Sequence, residues 1–280
     1  MSSQIISLTT DFGAAGEYVG AMKGILLGIN PEATVVDITH HIPPQDIAHG
    51  AFVWGSVCGY FPTGAVHVGV VDPGVGTSRR AILLVTPSGR FLAPDNGMLT
   101  YVLLRHGVRP PPSAAQFMQP VSTPVPEGCQ AYSLTRREYW LEPVSDTFHG
   151  RDIFAPVAAH LSTGVPPEAF GEPVAEVTAL NVLGNVVAED TVEGRIIFVD
   201  HFGNLVTNIE KSILGGRQAR VEVGGAHIEG VSRTFSDADG LAALVGSHGY
   251  MEIAERDGSA ARRLAVGVGT GVTVTIKDLC

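Results

Sequence analysis

Cysteine is scarce in this 280-residue chain: only Cys58, Cys129 and Cys280, an odd number and widely spaced. They form no CxxC pair and no Cys/His spacing suited to a metal. A disulfide framework is therefore not expected, and a reduced, cytoplasmic setting is. Positive charge is short too, 18 Lys and Arg against 28 Asp and Glu, for a net charge of −10. A general nucleic-acid binder needs a basic face, so no nucleic-acid partner is expected. No apolar run approaches the ~20 residues of a membrane helix. The opening residues Met1-Ser-Ser-Gln-Ile lack the basic start of a signal peptide, so neither a membrane span nor a leader is expected. There is no GxxxxGK[ST] loop and no GxGxxG opening a helix, which leaves little case for a nucleotide phosphate cradle. What is present is apolar: hydrophobic residues make up 45% and charged residues 16%, enough core for one large domain or two modest ones.

The pattern changes along the chain. Residues 4–9, 34–39, 67–71 and 81–86 read as buried strands. Residues 17–30 carry Tyr18, Met22, Ile25, Leu26 and Ile29 on one helical face, and Ile47, Ala51, Trp54, Cys58 and Phe61 recur at 4, 3, 4 and 3 residues on another. Residues 97–105 and 152–162 also read as helical. Strands alternating with helices predict a Rossmann-like α/β domain with a mainly parallel sheet. Residues 109–127 hold Pro110, Pro111, Pro112, Pro120, Pro124 and Pro126 and read as a surface excursion. From about residue 192, short β-like runs separated by glycine-rich turns predict a smaller antiparallel, barrel-like domain. The boundary is expected within residues 175–190, with domains over 1–180 and 190–280.

Polar clusters fall where strands end, which is where open α/β sheets bind ligands. Val71-Asp72-Pro73-Gly74-Val75-Gly76-Thr77-Ser78-Arg79-Arg80 follows an apolar run and reads either as a site holding a water or polar ligand, or as a charged turn. Thr9-Thr10-Asp11-Phe12-Gly13 offers a carboxylate able to accept from a ribose diol, or an N-cap or turn Asp. Pro94-Asp95-Asn96-Gly97 is ordinary turn composition. Thr147-Phe148-His149-Gly150-Arg151-Asp152 sets a histidine at a helix start, where it is either structural or functional. Asp200-His201-Phe202-Gly203-Asn204 and Ser247-His248-Gly249-Tyr250 also read as turns between strands.

Together these strings resemble the S-adenosyl-L-methionine hydrolase (adenosine-forming) family, also called SAM hydroxide adenosyltransferases, which is related to the SAM-dependent fluorinase and chlorinase. The resemblance rests on TTDFG at 9–13, VDPGVGTSRR at 71–80, PDNG at 94–97, TFHGRDIFAP at 147–156, FGNLVTNI at 202–209, GYMEIA at 249–254 and GSAA at 258–261. It implies an α/β domain followed by a β-barrel-like domain, and a homotrimer in which substrate lies between the N-terminal domain of one subunit and the C-terminal domain of its neighbour. By the same resemblance Asp72, Arg79 and His149 hold the attacking water, and Asp11 grips the ribose hydroxyls. Asp200, Phe202, Asn204, Ser247 and Tyr250 match positions that contact the methionine portion or the adenine, and Ala260 lies in a segment facing the adenine edge. No cofactor and no metal are expected; S-adenosyl-L-methionine is the substrate.

The chemistry fits those residue types. The sulfonium makes methionine a good leaving group, so the protein need only hold water in line with ribose C5′, and orientation alone supplies up to roughly 7–11 kcal/mol. A carboxylate at Asp72 disfavours a halide: two unit charges 4 Å apart repel by about 4 kcal/mol at an effective dielectric of 20. A halide-dependent adenosyl transferase and a non-catalytic SAM- or adenosine-binding protein remain the alternatives.

Overall fold

The structure is a computed structural model and describes residues 5–109, 116–183, 186–188, 190–214 and 218–277. Cys280 lies outside the described residues. The chain divides into two compact units, Met1–Arg109 with Pro120–Leu180, and Pro110–Gln119 with Asn181–Cys280.

The first unit runs β1 (Ile5–Thr10), α1 (Glu17–Ile29), β2 (Thr34–Thr39), α2 (Ile47–Cys58), β3 (Val66–Val70), β4 (Ala81–Thr86), β5 (Gly89–Pro94), α3 (Thr100–Arg105), β6 (Pro120–Pro124), β7 (Gln130–Leu134), α4 (Ala155–Ser162), β8 (Gly171–Pro173) and β9 (Glu176–Leu180). Seven strands form one sheet in the order β2-β1-β3-β5-β4-β7-β8. Alternation along β1 aims Ile6 and Leu8 at one face, where they pack with Met22 and Leu26 of α1 and Val157 of α4. The opposite face buries Ile82, Leu84 and Phe91 against Trp54 of α2 and Val102 of α3. Both faces of the sheet are thus covered by helices, as expected of an α/β layer.

The sheet is mixed rather than mainly parallel. The β1–β2, β1–β3 and β3–β5 pairs are parallel, while β4–β5, β4–β7 and β7–β8 are antiparallel. The reason is connection length: only Pro87 and Ser88 separate the paired ends Thr86 and Gly89, and so short a link permits only a hairpin. The proline-rich stretch departs from expectation as well, because Pro120–Pro124 is a strand paired antiparallel with β9. Val125 N–H donates to Ala175 O at 2.9 Å. Odd-numbered residues therefore face β9, and Pro120 and Pro124, which have no N–H, sit where none is needed.

The second unit holds β10 (Val186–Ala188), β11 (Thr191–Val199), β12 (Leu205–Glu210), α5 (Lys211–Leu214), β13 (Gln218–Val223), β14 (Ala226–Glu229), β15 (Leu241–Val245), β16 (Tyr250–Glu255), α6 (Ala260–Leu264) and β17 (Gly271–Lys277). Its strands follow the order β14-β13-β17-β11-β12-β16-β15, all pairs antiparallel, with β10 on β11. The two ends of this path approach each other: Ser232, just past β14, bridges to Leu244 of β15, and its N–H donates to Ala243 O at 2.7 Å. The sheet is nearly closed around Val192, Ile196, Leu205, Val221, Ile253 and Val274, the barrel-like form expected. No helix among the described residues is long and apolar enough to cross a membrane.

Candidate active site

Four of the polar strings converge at one end of the first unit's sheet. Asp72 follows β3, and the chain then turns tightly: Thr77 Oγ1 donates to Gly74 O at 2.7 Å and Thr77 N–H to the same oxygen at 3.1 Å. The turn requires Gly76 at φ +77°, and any Cβ there would overlap the carbonyl oxygen of Asp146. This close approach brings residues 72–79 against the segment carrying His149.

The outcome is a three-residue cluster. Arg79 Nε donates to Asp72 Oδ1 at 2.9 Å and Nη2 donates to Asp72 Oδ2, a two-point fork between side chains 11% and 5% exposed. The second Nη2 hydrogen reaches His149 Nδ1 at 2.7 Å. Arginine only donates, so Nδ1 is the acceptor and the imidazole proton sits on Nε2. Burial lowers the pKa of His149 below the usual imidazole range, and the Arg79 charge lowers it further; Asp72, Asp152 and Asp146 oppose the shift without reversing it. The cluster is thus an Asp–Arg ion pair with a neutral imidazole whose Nε2–H, without a hydrogen bond among the described residues, points away from the arginine. The Arg79 guanidinium also lies 5.7 Å from the Phe154 ring centroid.

Each member is held from behind. Asn96 Nδ2 donates to Val71 O at 2.9 Å, fixing the residue before Asp72. Arg80 turns away from Arg79 and pairs with Asp95, Nε to Oδ2 at 2.8 Å. Asp152 has no exposed surface; its Oδ1 accepts from Arg151 Nε at 2.6 Å and its Oδ2 from Ser145 N–H at 2.8 Å, which closes the loop around His149. Gly150–Phe154 is a π-helical turn leading into α4, and such turns recur at functional sites. Asn96 and Asp152 fall within the strings at 94–97 and 147–152 but are not among the expected site residues; their supporting roles depend on contacts that local sequence does not show.

Asp11 joins this end of the sheet. It is not an N-cap, because α1 begins at Glu17 with Gly16 at its cap position. Its Oδ2 accepts from Gln45 N–H at 2.8 Å, and Oδ1 has no hydrogen bond among the described residues. Gln45 takes φ 66°, a conformation costly for a non-glycine residue and enriched at functional sites. Phe12, next to Asp11, packs edge-on against Phe148, next to His149, with centroids 5.7 Å apart.

The remaining candidates lie in the second unit, at two places. Asp200 closes its own turn: Oδ1 accepts from Phe202 N–H at 2.9 Å and Asn204 N–H at 2.8 Å, and Oδ2 from Asn204 Nδ2 at 2.8 Å. Ala261 N–H donates to Gly203 O at 3.0 Å, which sets Ala260 beside that turn. Phe202 is 73% exposed. Ser247 and Tyr250 lie at the opposite end of the β12–β16 pair, where Glu210 pairs with Tyr250 while Leu205 pairs with Ile253. Ser247 lines a cavity of about 460 Å³ with Lys211, Ser232 and Arg233.

The sequence profile of the SAM hydroxide adenosyltransferase N-terminal domain matches residues 6–171, and that of its C-terminal domain matches residues 194–273. The chain belongs to the SAM hydroxide adenosyltransferase family. It is 39% identical over 98% of its length, and 98% of the relative's, to an (R)-S-adenosyl-L-methionine hydrolase of Salinispora arenicola. A protein of the same name from Thermus thermophilus is 39% identical over 95% of this chain and 97% of its own. Proteins named fluorinase are less similar: that of Nocardia brasiliensis is 27% identical over 97% of this chain and 97% of its own. The crystal structure of an uncharacterized conserved protein from Thermotoga maritima superposes with a TM-score of 0.82 at 35% identity, covering 97% of this chain and 99% of that one. The four strings around the Asp72–Arg79–His149 cluster fall inside the match to the family's N-terminal domain.

Proposed function

We propose that the chain hydrolyses S-adenosyl-L-methionine to adenosine and L-methionine by in-line attack of water on ribose C5′. The observation that carries this reading is the hydrogen-bonded chain Asp72–Arg79–His149. The water oxygen bonds to C5′ as the C5′–sulfur bond breaks, and its electron pair neutralises the sulfonium. The neutral His149 offers Nε2–H to the water oxygen and orients it. Each Asp72 oxygen accepts once from Arg79 and keeps a further lone-pair direction for a water proton. Since Arg79 occupies His149 Nδ1 and the other nitrogen carries hydrogen, Asp72 takes the proton. Positive charge disperses as the reaction proceeds, which favours the transition state at a site of low polarity.

Asp11 is assigned to the ribose hydroxyls through its free Oδ1. Phe202, Asn204 and Ala260 are assigned to the adenine, and Asp200 to the polar groups of the substrate near that turn. Ser247 and Tyr250 take the methionine portion, whose carboxylate suits the cavity holding Lys211 and Arg233. In the homotrimer that forms part of this proposal, the two groups of residues meet across a subunit interface. No cofactor takes part. A cytoplasmic setting belongs to the same reading, and Cys58 and Cys129 are both free thiols.

The test is chromatography of the products from S-adenosyl-L-methionine with and without chloride. Adenosine and methionine in equal amounts, indifferent to chloride, is the expected result. Unreacted substrate across a wide pH range leaves only a binding protein. A chlorinated nucleoside makes the chain a halide-dependent transferase. Asp72→Asn keeps the shape and loses the proton acceptor, so kcat should fall by roughly 10²–10⁴-fold.

A further inference from the structure

The segment 40–45 clamps the Asp11 turn at several points. Ile42 N–H approaches Thr10 O at 3.4 Å, Gly13 N–H donates to His40 O at 2.8 Å, and Gln45 N–H donates to Asp11 Oδ2. At the centre of this clamp is His40, only 7% exposed, whose ring has no part in the water chemistry above. Its Nδ1 lies 2.8 Å from Thr10 Oγ1. Its Nε2 lies 3.1 Å from Asp37 Oδ1, an oblique approach that is electrostatic rather than an aligned hydrogen bond. Asp37 Oδ2 accepts from Lys23 at 2.6 Å.

The order carboxylate, imidazole, hydroxyl is that of a nucleophilic triad, but Thr10 is no nucleophile. It has no exposed surface, and its hydroxyl oxygen already accepts from Phe12 N–H at 3.3 Å. The chain has one consistent direction. The Asp37 carboxylate favours the proton on Nε2, so Nδ1 accepts from the Thr10 hydroxyl, whose lone pairs receive Phe12 N–H. The two residues flanking Asp11 are therefore both tied to one imidazole, Thr10 directly and Phe12 through it.

We propose that His40 is a positioning residue for Asp11, setting the turn so that Asp11 Oδ1 meets the substrate's ribose hydroxyls; this rests on the assignment of Asp11 to the ribose. Asp37 orients His40, and Lys23 anchors Asp37.

The test is steady-state kinetics with S-adenosyl-L-methionine on wild type, Asp11→Ala, His40→Ala, His40→Asn and the Asp11→Ala/His40→Ala double variant, each checked for folding by thermal melting. His40→Ala should raise KM about tenfold, the scale of one lost hydrogen bond to a charged group, and leave kcat within about twofold. His40→Asn should recover most of the loss, because its amide falls where Nδ1 lies. The double variant should match Asp11→Ala in KM, since His40 acts through Asp11. A KM unchanged by His40→Ala, or effects that multiply in the double variant, overturns the proposal. If Asp11→Ala alone leaves KM unchanged, the ribose assignment fails first and His40 has nothing to position. Should His40→Ala not fold, Thr10→Val removes the hydroxyl at matched shape and is held to the same outcomes.

Discussion

Arg79 Nη2 donates to His149 Nδ1 across 2.7 Å, joining residues that lie seventy positions apart in the chain. The same guanidinium already grips Asp72 at two points. One side chain therefore fixes the direction of the carboxylate and the tautomer of the imidazole at once.

Arg79→Lys tests that double duty. Lysine keeps the charge but presents a single point, and cannot hold both Asp72 oxygens and His149 Nδ1. We expect kcat to fall about 10²-fold, the loss of roughly 3 kcal/mol of charge-assisted hydrogen bonding, with substrate affinity little changed. Equal kcat for wild type and variant in single-turnover assays would show that charge alone suffices.

The pH dependence follows from the direction of the His149 shift. Its pKa is lowered, first by burial and then by Arg79. The productive neutral form thus persists at and above the usual imidazole pKa of 6.5. The rate should be flat there and decline only in more acid solution, as protonation puts a hydrogen on Nδ1 and expels Arg79. The unfolded chain binds this proton more readily, so His149 also lowers stability as pH falls from 6.5. Asp146 opposes the downward shift and is exposed. Asp146→Asn should move the acid limb of the pH–rate profile to still lower pH and leave the plateau in place. A shift toward neutral pH would contradict this electrostatic account.

Much of this arrangement was legible in the sequence. The buried-strand reading of residues 4–9 and the helical faces of α1 and α2 pointed to the α/β layers, since a covered sheet selects short apolar runs and a covering helix selects one apolar face. The strings at 71–80 and 147–152 pointed to the cluster, and the structure joins Asp72, Arg79 and His149 there. Less was legible where contacts are distant in the chain. That Asn96 secures Val71, and that Gln45 adopts φ 66° to reach Asp11, depends on tertiary packing with no local signature. The strand at Pro120–Pro124 was hidden for another reason. Proline suppresses strand propensity on average, yet at the outward-facing positions of a paired edge it removes no hydrogen bond. Which end of the β12–β16 pair each second-unit candidate occupies also follows from register, which sequence spacing alone does not give.

Two glycines of the 71–80 loop should respond differently to the same change. Gly76 has φ +77°, and an added Cβ there would overlap backbone at Asp146, which cannot swing aside. Gly76→Ala should cost about 1–3 kcal/mol in urea unfolding, the scale of backbone strain, and should lower kcat by displacing residues 72–79 from His149. At Gly74 a Cβ meets only ordinary contacts, the nearest at 3.5 Å from Arg79 Cγ and Thr77 Oγ1. Gly74→Ala should therefore retain stability and most activity. Similar losses for both would mean that the loop's flexibility, rather than its approach to Asp146, is what matters.

The last prediction concerns acid stability and a histidine outside the water-holding cluster. His67 lies on β3 with no exposed surface, its ring stacked 4.9 Å from Phe91 and edge-on to Phe61, with Nδ1 2.7 Å from Ser7 Oγ. Burial lowers its pKa from 6.5 to about 4. Between those values the unfolded chain holds a proton that the folded chain refuses. Stability is therefore full above pH 6.5 and declines as pH falls toward 4, by a total of about 3 kcal/mol from this residue. Urea titrations at steps across that window measure the slope. His67→Phe removes the titrating group, so its stability should change less between pH 6.5 and 4 than that of the wild type, whatever its absolute value. Parallel pH dependences for the two proteins would show that the folded chain takes up a proton on His67 as readily as the unfolded chain does.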